Sequence, residues 1–147
     1  MESEPIIVGG EESGGLSVKG HVPEKDGILA CLLMAELVAV ERKPLRQILK
    51  ELEKHIGRFY TDRINVHINP KQKNAILKHL SKGLNKIGDT KVEKFITTDG
   101  YKFLLPKGEW VAFRASGTEP VIRCYLETKS ATRMKTLKTE CQKLLLK

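Results

Sequence analysis

Aromatic residues are scarce, 5% of the chain with a single tryptophan, and no cluster of them interleaves with the basic residues as an RNA-stacking surface requires. Cysteine is sparse too. Cys31, Cys124 and Cys141 are odd in number and widely spaced, no Cys-x-x-Cys pair occurs, and the four histidines are scattered. A zinc module and a disulfide framework are thereby disfavoured. Three free, buried thiols in a reduced cytoplasmic setting are the expectation instead. Long hydrophobic runs are missing: residues 27–35, the longest, end at Glu36, well short of the roughly 20 apolar residues that a membrane-spanning helix needs. No basic stretch runs into an apolar one at the N-terminus, so no signal peptide is read there. Internal repeats and low-complexity tracts are absent as well.

What is present is a chain of 147 residues, 40% hydrophobic and 30% charged, which suits one globular domain or a small domain plus part of another. The net charge of +8 is uneven. Residues 1–43 hold four Lys/Arg against eight Asp/Glu, a net −4, whereas residues 44–147 hold 22 against 10, a net +12. Such a division suggests two units, the second attractive to anions.

Pro5-Ile6-Ile7-Val8 reads as a buried strand stopped by Gly9-Gly10, and residues 9–25 read as loop. Asp26 is placed to cap a helix over 27–41. Ile28, Leu29, Leu32, Leu33, Met34, Leu37, Val38 and Val40 surround nearly its whole circumference, so it needs cover on several sides. One short strand cannot supply that cover. The first 43 residues therefore look like the end of an α/β domain, with the helix hidden against the later domain or a second copy.

Pro44 opens a cleaner amphipathic helix, with Leu45, Ile48, Leu49, Leu52 and Ile56 on one face and Gly57 at its end. It is expected to link the two units. Ile64, Val66 and Ile68 alternate with polar residues as a half-buried strand, and Asn69-Pro70 starts another helix. Asp99-Gly100 is a hairpin signal between strands at 91–98 and 101–105. Strands at 110–114 and 121–128 flank a polar loop, the second placing Arg123, Tyr125 and Glu127 opposite its core face. Ser130 caps a closing helix. The order from residue 59, β-α-β-β-β-β-α, defines an α+β fold with a mainly antiparallel sheet and helices on one face.

Two loops carry chemistry. In Gly9–Gly15 (GGEESGG), glycines permit sharp turns and close approach, and a carboxylate and a hydroxyl can bind the hydroxyls of a polyol. A surface turn with solvated glutamates satisfies the same residues. In Arg114–Pro120 (RASGTEP), followed by Arg123, guanidiniums, hydroxyls and a glycine N–H are the donors that a phosphate needs. A Ser-Gly turn with no ligand is the plain alternative.

The strings GGEESGG at 9–15, GHVPEKDG at 20–27 and FRASGTEPVIRCYLE at 113–127 resemble the α-D-phosphohexomutase family of phosphoglucomutases and phosphomannomutases. The resemblance covers essentially the whole chain and matches the last part of a four-domain enzyme. It implies residues 1–43 as the C-terminal remnant of the sugar-binding third domain, and 44–147 as the phosphate-binding fourth domain. It implies that Glu11 and Ser13 bind sugar hydroxyls, with His21 and Lys25 near the substrate. Read alone, those last two are a loop histidine and a solvated lysine. Arg114, Ser116, Gly117 and Thr118 would hold the phosphate that is not reacting, Arg123 would add charge, and Glu119 and Pro120 would shape the loop. The family's phosphoserine, in a Ser-His-Asn-Pro-like loop, and its Mg²⁺ site of the Asp-x-Asp-x-Asp type have no counterpart in this sequence. The chain alone is therefore expected to bind neither and to catalyse nothing, while the complete enzyme interconverts hexose 1-phosphate and hexose 6-phosphate through a hexose 1,6-bisphosphate. One anion clamp would then serve both orientations of the sugar, on a domain that opens and closes. The first two strings sit closer to glucose and mannose mutases than to the glucosamine branch, and glucose is favoured.

The rival reading is a basic module for nucleic acid or another polyanion. It rests on Lys71, Lys73, Lys78, Lys82 and Lys86, which lie on or just after one helix. A solvated face explains them more simply, so nucleic acid is not the expected partner. Met1 lies close to the first strand, as in the cut end of a longer chain. Self-association or partial disorder of residues 1–43 is expected, with the later domain folding on its own.

Overall fold

The computed structural model describes residues 6–11 and 14–146. Its chain forms two compact units, residues 1–56 and 57–147.

In the first unit, β1 (Val8–Gly10) pairs antiparallel with β2 (Leu16–Val18). The expected strand at 5–8 is thus displaced, and Gly9-Gly10 lies inside it. Its partner comes from the stretch read as loop, because Gly14 N–H donates to Glu11 O (3.0 Å) and Glu11 N–H to Gly15 O (2.8 Å), closing a tight hairpin. β1 is exposed rather than buried. Helix α1 (Gly27–Glu41) starts as expected: Asp26 accepts from the N–H groups of Ile28 and Leu29, each at 2.9 Å. Helix α2 (Leu45–Ile56) follows, its C-terminus passing into Gly57. Neither helix has a buried residue. Cys31 on α1 is exposed, contrary to the expectation of a buried thiol, because no described layer covers that side of the helix.

The second unit is the α+β layer. β3 (Tyr60–His67), β6 (Lys94–Ile96), β7 (Tyr101–Leu104), β8 (Trp110–Ala115) and β9 (Val121–Thr128) form a five-stranded sheet in the order β3-β9-β8-β7-β6, antiparallel throughout. Helix α3 (Pro70–Leu80) follows β3, and α4 (Ala131–Leu145) closes the chain. A two-stranded hairpin, β4 (Lys86–Ile87) with β5 (Thr90–Lys91), breaks the strand expected at 91–98: Lys91 belongs to the hairpin, and only Lys94–Ile96 joins the sheet. Strands of two residues are too short to show a period.

Alternation divides the sheet. Ile64, Phe103, Val111, Phe113, Ile122, Cys124 and Leu126 point to one face and are buried with Ile76 and Leu80 of α3 and Met134, Leu137, Cys141 and Leu145 of α4. The Cys124 thiol is held above its ordinary range, first by its hydrogen bond with the Cys141 thiol and then by burial. Arg133 of α4 pins the small hairpin to the sheet, donating to nearly buried Glu109 (3.1 Å), Glu140 (3.3 Å) and the Thr90 hydroxyl (2.7 Å). The opposite face carries Arg63, Asn65 and His67 on β3, Arg123 and Tyr125 on β9, and Arg114 on β8. That face positions the site.

Candidate functional site

The loop 116–120 joins β8 to β9 and is knotted by its own hydrogen bonds. Ser116 N–H donates to Val121 O (2.9 Å), Val121 N–H to Glu119 O (2.8 Å) and Glu119 N–H to the Ser116 hydroxyl (3.2 Å). Ser116 is consequently buried, at 6% exposure. Its oxygen shapes the turn, while its hydroxyl proton remains able to donate. Gly117 and Thr118 are exposed at the tip. Their N–H groups meet no acceptor among the described residues, and two such outward donors are what an anion seeks.

Arg114 and Arg123 are direct cross-strand partners, on the strands that lead into and out of this loop. Like charges at such positions repel, so both need anionic company. In this structure Arg114 lies 3.4 Å from Asp99 and Arg123 lies 3.2 Å from Glu119, all four side chains substantially exposed. The Asp99-Gly100 turn brings its carboxylate there by close packing. Gly100 has φ +79°, and a Cβ on it would stand 2.5 Å from the Phe113 carbonyl oxygen, beside Arg114.

Hollows lie on both sides of the loop. One, of about 260 Å³, is lined by Arg63, Asn65, His67, Glu119, Val121 and Arg123. The other, of about 360 Å³, is lined by Pro70, Lys73, Asn74, Gly117, Thr118, Glu119 and Pro120. Lys73 is the functional candidate that sequence reasoning missed by leaving it on a solvated face. Its Nζ donates to Ser116 O (2.7 Å) and Glu119 O (3.4 Å). The local signal, Asn69-Pro70, marks a helix start, but nothing in the spacing shows a contact made 43 residues away.

In the first unit, Lys25 Nζ approaches both carboxylate oxygens of Glu11, at 3.3 and 3.4 Å. Glycine at 15 makes room for the pair, since a Cβ there would meet Lys25 Cδ at 2.8 Å. His21 Nε2 sits 2.8 Å from Asp26 Oδ2 and so props the cap of α1. The Asp26 carboxyl is held below the ordinary range, first by the Leu29 N–H and then by His21. Ser13 lies outside the described residues. Glu11 and Lys25 are thus together in one unit, and Arg114, Ser116, Gly117, Thr118 and Arg123 in the other.

Among the described residues no group of three or more His, Cys, Asp or Glu could hold a metal ion. No helix among them is long and apolar enough to cross a membrane. The arrangement can bind and orient a dianion.

An α+β layer with a guanidinium-flanked turn open to anions defines the class, and comparison with known proteins narrows it. The family described as phosphoglucomutase/phosphomannomutase matches twice, its alpha/beta/alpha domain III over residues 1–56 and its C-terminal domain over residues 37–144. The chain belongs to the phosphoglucomutase/phosphomannomutase family. A phosphoglucomutase/phosphomannomutase of Thermococcus kodakarensis is 34% identical over 84% of this chain and 25% of its own length. A phosphoglucomutase of Komagataeibacter xylinus is 35% identical over 91% of the chain and 27% of its own. A phosphoglucosamine/phosphogalactosamine mutase of Sulfurisphaera tokodaii is 30% identical over 99% and 30%. Among solved structures, a phosphoglucomutase/phosphomannomutase family protein from Burkholderia thailandensis superposes with a TM-score of 0.67 at 18% identity, over 95% of this chain and 28% of that one. The fold is therefore shared, and the chain spans between 25% and 30% of the length of these relatives.

Proposed function

We propose that this chain is the substrate-gripping C-terminal part of a mutase interconverting hexose 1-phosphate and hexose 6-phosphate, with glucose favoured over mannose. The observation that carries the reading is the pairing of Arg114 with Arg123 beside the unpartnered N–H groups of Gly117 and Thr118. Family membership and the names of the relatives support it. In the proposal residues 1–43 are the remnant of the sugar-binding domain and residues 44–147 the phosphate-binding domain. Glu11, Ser13, His21 and Lys25 contact the sugar, and Arg114, Ser116, Gly117, Thr118 and Arg123 hold the phosphate that is not being transferred. Mg²⁺ and a phosphoserine belong to other domains of the complete enzyme, in the cytoplasm, and supply phosphoryl transfer there. This chain's part is binding and charge neutralisation, which is most of what phosphoryl transfer asks of a protein.

The phosphate clamp explains two features that a plain turn would not. Two guanidiniums stand side by side on the solvent face, each drawing a carboxylate to itself, and the carbonyls of Ser116, Glu119 and Pro120 are taken up in hydrogen bonds while the tip N–H groups are left open. Titrating the chain with glucose 6-phosphate should shift the amide signals of residues 114–118, and Arg114→Ala should abolish those shifts. Signals that ignore the sugar phosphate, or that move equally in the variant, would sink the reading. Restoring the missing domains and assaying glucose 1-phosphate against the mannose and glucosamine analogues decides the sugar. The exposed apolar residues of α1, among them Ile28 and Leu32, are proposed to seat the rest of the α/β domain or, without it, a second copy of the chain. Concentration-dependent sedimentation that Ile28→Glu abolishes would support this, and a monomer at all concentrations would refute it.

A further inference from the structure

The geometry points to Lys73 as a positioning residue for the phosphate loop, one that acts by holding the Ser116 and Glu119 carbonyls away from the anion; this rests on the clamp reading above. A phosphate-binding turn faces a conflict. Every peptide unit that offers an N–H also carries a C=O, and a carbonyl oxygen aimed at a phosphate repels it. Lys73 removes that conflict on one side of the turn. Its ammonium takes the carbonyls of Ser116 and Glu119, which bracket Gly117 and Thr118.

The stereochemistry follows from a planar bond. The peptide bonds of the described residues are trans, so the N–H of Gly117 points opposite to the Ser116 carbonyl in the same plane. Holding that carbonyl on the lysine therefore aims the Gly117 N–H away from it. Gly117, with no side chain and an exposed backbone, would otherwise be the easiest residue of the turn to rotate.

The helix start makes Lys73 a rigid support. Asn69 accepts from the N–H of Gln72 (2.9 Å), and Gln72 accepts from the N–H of Asn69 (3.2 Å), a reciprocal cap with Pro70 at the first turn. Ile68 N–H also donates to Pro120 O (3.0 Å). The junction of β3 and α3 thus gathers three carbonyls of the loop, those of Ser116, Glu119 and Pro120.

The test uses the whole chain with two variants, Lys73→Met and Lys73→Arg, and glucose 6-phosphate as the probe. In Lys73→Met the Gly117 and Thr118 amide signals should shift or broaden before any ligand is added, while amides of the sheet core stay in place. Its dissociation constant for glucose 6-phosphate should rise about tenfold, and Lys73→Arg, which still donates, should recover much of the loss. Unchanged Gly117 and Thr118 signals in ligand-free Lys73→Met would overturn the inference, as would unaltered binding. Should the wild-type chain bind no glucose 6-phosphate, the clamp reading fails, and the ligand-free amide signals still judge the role of Lys73 in the loop.

Discussion

Helices α1 and α4 are each 15 residues long, each is capped by a side chain that accepts N–H bonds from the first turn, and each carries a cysteine. α1 is the more apolar of the two, yet it buries no residue, whereas α4 buries Met134, Leu137, Cys141 and Leu145. The difference lies in what each has to pack against. α4 places an apolar stripe on a five-stranded sheet whose facing residues are themselves apolar and supplied by β3 and β9. α1 is preceded only by a hairpin of two three-residue strands, and Ile28, Leu32 and Val40 remain 63–78% exposed. Apolar composition creates a demand for burial. Only a partner layer meets it.

The sharpest way to break this contrast is through the thiols, which report on both units. Cys31 should react with a thiol reagent at nearly the rate of a small free thiol. Cys124 and Cys141 should lag by a hundredfold or more, for an opening free energy of about 3 kcal/mol, and Cys124 is further quieted by its raised pKa. Equal labelling rates at the three positions would erase the distinction. Next in size are paired truncations followed by urea unfolding. Leu137, fully buried, should cost about 2–5 kcal/mol on Leu137→Ala. Leu32, 63% exposed, should change stability by no more than about 0.5 kcal/mol on Leu32→Ala. Comparable losses would show that α1 has a cover of its own.

The smallest effect is acid sensitivity, and its sign is set by two carboxylates. Asp62 is held below the ordinary range, first by the hydrogen bond from Lys138 at 2.6 Å and then by the Arg63 N–H. A carboxyl whose folded pKa is depressed adds stability that is fully present above its unfolded value, about 3.9, and lost as pH falls through the lower folded value. Asp62→Asn should therefore flatten the acid slope of the second unit, by less than about 1 kcal/mol because the pair is partly solvated. Asp26, depressed first by the Leu29 N–H, should give the same direction at α1, read as loss of helix signal in acid. A slope unaffected by Asp62→Asn would remove that pair from the acid response.

Elements with a complete local signal were legible in the sequence. Asp26, Asn69 and Ser130 each cap the helix that follows them, and the alternation from Arg63 to His67 set the face of β3 correctly. Arg114 and Arg123 were recognisable from the loop string, and the register makes them neighbours. What escaped depends on distant or minimal features. The partner of β1 was invisible because Gly9-Gly10 suppresses strand propensity and Leu16–Val18 is too short for a pattern. The β4–β5 hairpin is shorter still. Lys73 looked like any helix-surface lysine, since its carbonyl partners arrive only after five more strands. The pairing of Asp99 with Arg114 was hidden for a similar reason: Asp99-Gly100 announced the turn, not the neighbour it packs against.

That last pairing, with its twin at Glu119, has a bearing on how tightly anything can be held. Both guanidiniums already have carboxylate companions, so an arriving phosphate exchanges one counter-ion for another and most of the Coulomb gain cancels. Capture should consequently be brief and rapidly reversible, with ligand-dependent resonances moving as single averaged peaks. If the proposed clamp serves both ends of a sugar in turn, readiness to let go is as useful as affinity. Separate bound and free peaks would show that these companions offer no such exchange.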